Sequence, residues 1–197
     1  MHGAGFRSCP GPSTLPVVPA VAASRLRDRA RALGFDDVGT CAFEPTPRDA
    51  EAYRRWLAAG MAGTMAYMAR ADRVARALDP RLSVPGARGL IVVARHYAPP
   101  VRDDRARHDA SRGVIAAYAC GPDYHDVMRA RLEQLGVWLA NALGRAVARH
   151  AMVDSGPLLE RDAAARAGLG FVGRNTMLIH PRRGSWSFLG VLFSDAE

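Results

Sequence analysis

Lysine is absent from this chain: all 27 basic side chains are arginine, set against 19 acidic ones for a net charge of +8. That balance points to an anionic partner, whether nucleic acid, a phosphate-bearing cofactor or a membrane surface. The missing lysine and abundant alanine also fit the codon bias of a GC-rich genome, so charge alone selects no partner. Cysteine is scarce. Cys9, Cys41 and Cys120 lie far apart and form no CxxC pair. This excludes a disulfide framework and a thiolate metal cluster, and fits reduced thiols in a cytoplasmic protein. Apolar runs are too short for a membrane span. The first residues, MHGAGFRSCPGPSTLPVV, have neither the charged start nor the continuous apolar core of a secretory signal. Their glycine, proline and serine predict a disordered leader over residues 1–18, followed by one domain over 19–197. His96, His108, His150 and His180 are scattered without HxxxH or HxxE spacing, so no metal site is predicted.

What is present is a mixture of helical and strand patterns, with 49% apolar residues in a chain of 197. Ala22, Leu26, Ala30 and Leu33 share one helical face, and Gly34 offers a stop. Phe35–Cys41 reads as a strand. Thr46-Pro47 caps and opens a helix running to Ala59. Gly60–Met68 reads as a glycine-broken, methionine-rich loop. Gly89–Tyr97 is the clearest buried strand, and Gly113–Ala119 is expected to be another. Asp123 is placed to cap a long helix, Tyr124–Leu143. A strand over Ala146–Val153, a helix over Leu158–Ala167 and strands over Asn175–His180 and Ser185–Phe193 follow. A turn at Pro181–Gly184 resembles a hairpin. Helices and strands mix without a βαβ rhythm, so the expected fold is α+β, a mixed and partly antiparallel sheet flanked by helices.

The segment MVDSGPLLERDAAARAGLGFVGRN, Met152–Asn175, concentrates the chemistry. Asp154 stands at a strand end before a Ser155-Gly156-Pro157 turn. As a mere turn-former it would need no partner; at a pocket mouth, partial burial would raise its pKa and make it a proton donor. Glu160 and Arg161 are expected to pair on the helix start. Gly168, Gly170 and Gly173 spell GxGxxG, but a helix precedes and a strand follows. That order is the reverse of a dinucleotide site, and Gly168 reads better as a helix C-cap. Tyr124 and His125 are capable of acid chemistry, yet no partner is visible in sequence, and packing at a helix start is the plainer role for Tyr124. Cys120 reads as a small buried side chain, and Met61, Met65 and Met68 as core packing, though thioethers also suit a large flat ligand.

Six segments in order resemble the N-terminal half of tRNA epoxyqueuosine reductases. They are GMAGTMAYM (Gly60–Met68), DPRLSVPGAR (Asp79–Arg88), AYACGPDYH (Ala117–His125), VDSGPLLER (Val153–Arg161), AGLGFVGRN (Ala167–Asn175) and GSWSFLG (Gly184–Gly190). Each is weak alone; the ordered set is specific. The resemblance implies a fold similar to nitroreductase-related cobalamin-binding domains. It implies a base-off cobalamin held between this domain and a ferredoxin-like one, and reduction of the epoxide of epoxyqueuosine at the tRNA wobble position. By the same resemblance Asp154 is the proton donor, and Arg76, Ala116, Asp154, Arg174, Asn175, Leu178 and Leu189 contact the corrin. The family usually has lysine where Arg174 stands. An external electron donor and a monomeric state are also implied. Two [4Fe–4S] clusters belong to a cysteine-rich C-terminal part absent from this chain, so none of its cysteines takes a cluster role. Two other classes remain as alternatives: a non-catalytic corrinoid-binding or trafficking module, and a nicotinamide oxidoreductase using the glycine loop.

Overall fold

The computed structural model describes residues 23–97 and 108–195. The expected leader and most of the loop 101–112 lie outside the described residues.

A four-stranded antiparallel sheet organises the chain. β1 (Asp37–Cys41) and β2 (Gly89–His96) pair, and β3 (Arg149–Met152) lies outside the last strand, Ser187–Ser194. β4 (Phe171–Val172) and β5 (Leu178–Ile179) form a separate hairpin, so the last strand is β6, and the sheet order is β1-β2-β6-β3. Every described pairing is antiparallel. The central strands, β2 and β6, are rich in branched and aromatic residues, which suit a surface covered on both sides.

Alternation sorts these side chains between two cores. Ile91, Val93 and Leu192 join Leu26 and Ala30 of α1 (Ala23–Ala32). On the same face lie Met128, Leu132, Leu135 and Leu139 of a long helix, Tyr124–Leu143. Leu90, Val92, Val191 and Phe193 take the other face with Ala163 and Ala164, from a short helix at Glu160–Arg166. Each of these side chains larger than alanine contributes about 1.5–3 kcal/mol on burial. Gly190 lets the long helix approach β6: a Cβ there would meet Leu132 Cδ1 at 3.0 Å and Met128 Cε at 3.1 Å.

The expected helix from Thr46 is α2 (Pro47–Ala58), with the Thr46 hydroxyl accepting from the Asp49 N–H. Sequence pattern had assigned nothing to α3 (Ala71–Leu78), of which only Ala77 is buried. Val74 and Leu78 flank Ala77 half-buried, and Asp72 in the first turn and Arg76 in the last complement the helix ends. The long helix and the short one are accordingly α4 and α5.

One expectation is corrected and one is met. Residues 113–119 form no strand; Val114 and Ile115 are 56% and 68% exposed, and only a 3₁₀ turn forms, at Ala117–Ala119. An apolar run becomes a strand only where a sheet edge receives it, and the described partners of β1 and β3 are β2 and β6. The turn at Pro181–Gly184 does form, closed by the Gly184 N–H on the His180 carbonyl at 2.9 Å. His180 and Gly184 pair antiparallel across it, as in a hairpin turn, and it passes the chain from the β4–β5 hairpin to β6.

Candidate active site

β3 delivers Asp154 to the surface. Val153 is buried in the first core, and the chain then reverses: the Ser155 N–H donates to the Val153 carbonyl at 2.6 Å, with Asp154 as the central residue at φ 56°. A non-glycine residue in the left-handed region costs about 1 kcal/mol or more and persists only where contacts over-determine it. Two contacts do so. The Tyr124 hydroxyl donates to Asp154 Oδ2 at 2.7 Å, and the Asp154 N–H donates to Glu160 Oε1 at 2.8 Å.

The start of α4 supplies the partners. Asp123 caps the helix by accepting the His125 N–H at 2.9 Å, and its carboxylate also lies 2.8 Å from His125 Nδ1. This turns the ring so that Nε2 stands 3.6 Å from Asp154 Oδ2. Tyr124 stacks on His125 with ring centroids 4.0 Å apart and on Phe188 at 4.1 Å. Phe188 stacks in turn on Tyr97 at 4.3 Å, and Tyr97 meets the edge of Trp186. Five aromatic rings thus form a ladder from β6 to the Asp154 turn. Burial, and then the bond to Asp154, raise the Tyr124 pKa, so its hydroxyl stays a donor at neutral pH.

Glu160 opens α5. Burial, reinforced by the Asp154 carboxylate, pushes it up to about 8, with the Asp154 N–H and Arg161 opposing. The expectation of partial burial was placed on the wrong carboxyl, since the Asp154 side chain is 63% exposed. The expected pairing of Glu160 with Arg161 is also replaced. Glu160 takes the Asp154 amide, and the Arg161 guanidinium donates to the Thr176 carbonyl at 3.0 Å. Thr176, at φ 64°, and Asp154 are the two non-glycine residues with positive φ among the described residues, and α5 ties both turns.

The other expected site residues are distributed around this turn. Arg76, on α3, pairs with Asp72 at 3.8 Å and lines a pocket of about 180 Å³ with Tyr67, Arg70, Arg73 and Pro157. Arg73 donates to the Gly156 carbonyl at 3.4 Å, joining that pocket to the Asp154 turn. Arg174 and Asn175 are exposed in the β4–β5 turn, where Asn175 Oδ1 accepts the Met177 N–H. Ala116 is exposed ahead of the 3₁₀ turn. Leu178 is buried in the second core, and Leu189 packs half-buried against it. Gly168, at φ 81°, does cap α5, with β4 after it, so the glycine loop has the wrong order for a dinucleotide.

Some features ran against the sequence reading. Met61 and Met65 are 64% and 42% exposed rather than core, and Cys120 is exposed. Asp37, His96 and His180 come together, with His96 Nε2 2.9 Å and His180 Nε2 3.8 Å from Asp37 Oδ2. His180 Nδ1 accepts the Arg182 and Arg183 N–H groups, which puts the neutral ring's proton on Nε2, toward Asp37. Arg183 also lies 3.7 Å from Asp37. A hydrogen-bonded charge network fits this arrangement better than a metal site.

The chain is thus an α+β domain that presents an exposed carboxylate on a strained turn, backed by a phenol and an imidazole. Residues 77–155 match the family described as Epoxyqueuosine reductase QueG, DUF1730. The epoxyqueuosine reductase of Xanthomonas campestris pv. campestris is 40% identical over 182 residues, covering 90% of this chain and 49% of that protein. That of Pseudomonas aeruginosa is 37% identical, covering 91% and 49%. A crystal structure of an epoxyqueuosine reductase with an epoxyqueuosine-modified tRNA stem loop superposes with a TM-score of 0.76 at 25% identity, over 88% of this chain and 45% of that one. Another, from Bacillus subtilis, has its catalytic aspartate loop swung out of the active site (TM-score 0.72, 25% identity, 88% and 45% covered). The chain is similar to epoxyqueuosine reductases and spans about half the length of the curated relatives it matches. The reductive dehalogenase NpRdhA shares the fold alone, at a TM-score of 0.51 and 18% identity.

Proposed function

We propose that this chain is the corrinoid-binding part of a tRNA epoxyqueuosine reductase, with Asp154 as its proton donor. The observation that carries the reading is the Asp154 turn: an exposed carboxylate, held by Tyr124 and faced by His125, in the motif that the family resemblance singled out. Opening and removing an epoxide frees an oxygen that must be protonated, and a carboxyl group on an accessible turn can do this. Tyr124 orients the carboxylate, and His125, 3.6 Å away, can return a proton to it.

The residues present fit a corrinoid. Its broad, largely apolar ring needs adaptable apolar contact and polar groups for its amide rim. Tyr67 is half exposed, its hydroxyl meets Met65 Sδ at 3.7 Å, and it borders the arginine-lined pocket beside the Asp154 turn. Phe171 and Met177 are exposed beside Arg174 and Asn175. Arg76, Ala116, Arg174, Asn175 and Leu189 would hold the ring, and Leu178 would serve from behind, as a buried support. When bound, the corrinoid supplies the reducing electrons. Cys41 is buried and Cys120 stands apart from it, so the proposal leaves the iron–sulfur clusters and the electron donor's docking site to sequence outside this chain. Exposed arginines would meet the tRNA phosphates, making RNA affinity fall steeply with salt. No helix among the described residues is long and apolar enough to cross a membrane, and we place the protein in the cytoplasm with its tRNA substrate.

Titration of the purified chain with cob(II)alamin tests the first half of the proposal. A saturable change in the visible spectrum is expected, and its absence refutes corrinoid binding. Replacing the matching half of the Xanthomonas relative with this chain tests the second half. Nucleoside mass spectrometry should show epoxyqueuosine converted to queuosine, and Asp154→Asn should abolish conversion while keeping the spectral change. A spectral change with no conversion in the unmutated chimera would favour the non-catalytic corrinoid carrier.

A further inference from the structure

Resting on the reading of Asp154 as the proton donor, we propose that Glu160 is a positioning residue whose carboxyl oxygen latches the Asp154 turn in the conformation described above. The turn around Asp154 uses the Ser155 N–H and the Val153 carbonyl, leaving the Asp154 N–H outside its own closure. That amide points at Glu160 Oε1, 2.8 Å away and six residues on. Glu160 is a firm anchor because α5 is bedded in the second core through Ala163 and Ala164. Asp162, two residues further on, is buried and paired with Arg166 at 2.7 Å. The turn itself is compressed: a Cβ on Gly156 would overlap the Met152 side chain. A backbone in the left-handed region, folded this tightly, persists only where its surroundings hold it.

Tyr124 holds the side chain and Glu160 holds the backbone. The two contacts are not equivalent. The tyrosine bond is made to the carboxyl that changes charge and weakens when that carboxyl is protonated, whereas the amide bond is made by the backbone and does not use the Asp154 carboxyl. Glu160 therefore keeps the acid in place through the step in which its charge changes. Its partial withdrawal from water also suits the role, since a shielded acceptor competes little with solvent for the amide. The relative whose catalytic loop is swung out shows that such a loop has a second position available to it.

Amide hydrogen exchange at Asp154, read by NMR on the full chain, tests the latch. Glu160→Ala should speed exchange of the Asp154 amide roughly threefold to tenfold, the worth of one hydrogen bond, with the amides of Ala163–Arg166 unchanged. Glu160→Gln keeps an acceptor oxygen and should restore exchange to the wild-type rate. Unchanged exchange in Glu160→Ala overturns the proposal. So does fast Asp154 exchange in Glu160→Gln with α5 intact, and that variant decides the matter should alanine loosen the helix. The exchange measurement needs no corrinoid, so failure of the cobalamin titration would refute the proposed function and leave the latch standing or falling on its own.

Discussion

Glu160→Gln should flatten the pH dependence of stability. The carboxyl is pushed from its ordinary 4.5 to about 8, chiefly by burial. In the unfolded chain it loses its proton near the ordinary value; in the folded chain it keeps it until much higher pH. Between those limits the folded state binds more protons, so stability falls as pH rises. The carboxyl's contribution is fully present below about pH 4.5 and lost as pH climbs through about 8. One proton caps the slope at about 1.4 kcal/mol per pH unit. Solvent reaches part of this side chain and weakens the effect, so we expect wild type to lose about 1–2 kcal/mol relative to Glu160→Gln between mildly acidic and mildly alkaline pH. Urea midpoints for both proteins across that range give the comparison, and other titrating groups cancel in the difference. Parallel profiles would show that Glu160 does not carry a shifted proton, and the account of burial at the start of α5 would be wrong.

Asp162→Ala should cost roughly 3–5 kcal/mol, because it strands the Arg166 guanidinium and the Thr46 amide that the buried carboxylate now pairs; a loss below about 1 kcal/mol in urea unfolding would contradict the burial of that pair. Gly190→Val should lower the thermal midpoint, at a cost of roughly 1–3 kcal/mol, since its Cβ would press on Leu132 and Met128. Gly113→Ala, which faces open space, should leave the midpoint nearly unchanged and serves as the control.

Much of the fold was legible because local rules and packing agreed. Asp123 capped α4, Thr46-Pro47 opened α2 and Gly168 ended α5 as their side chains and backbone freedom require. β2 was plain from its unbroken apolar run. Where the rules failed, the reason was a partner that sequence does not display. Gly113–Ala119 has strand composition but joins neither edge strand of the sheet, and α3 is amphipathic but only eight residues long, with a single buried residue. The methionines of the Gly60–Met68 segment looked like core because methionine usually is.

At the site, the sequence by itself determined that an aspartate would stand at a strand end before a Gly-Pro turn, and that a Tyr-His pair would begin a long helix. Turn chemistry and helix capping act over a few residues and are written in those residues. Only the tertiary structure decided that these two places meet. Antiparallel pairing of β3 with β6, and the packing of α4 across β6 at Gly190, carry Tyr124 to within 2.7 Å of Asp154 across thirty residues of chain. The same packing withdrew Glu160 from water, raising its pKa, and left the Asp154 side chain exposed. Desolvation depends on everything that surrounds a group, and that is a property of the folded interior rather than of neighbours in the chain.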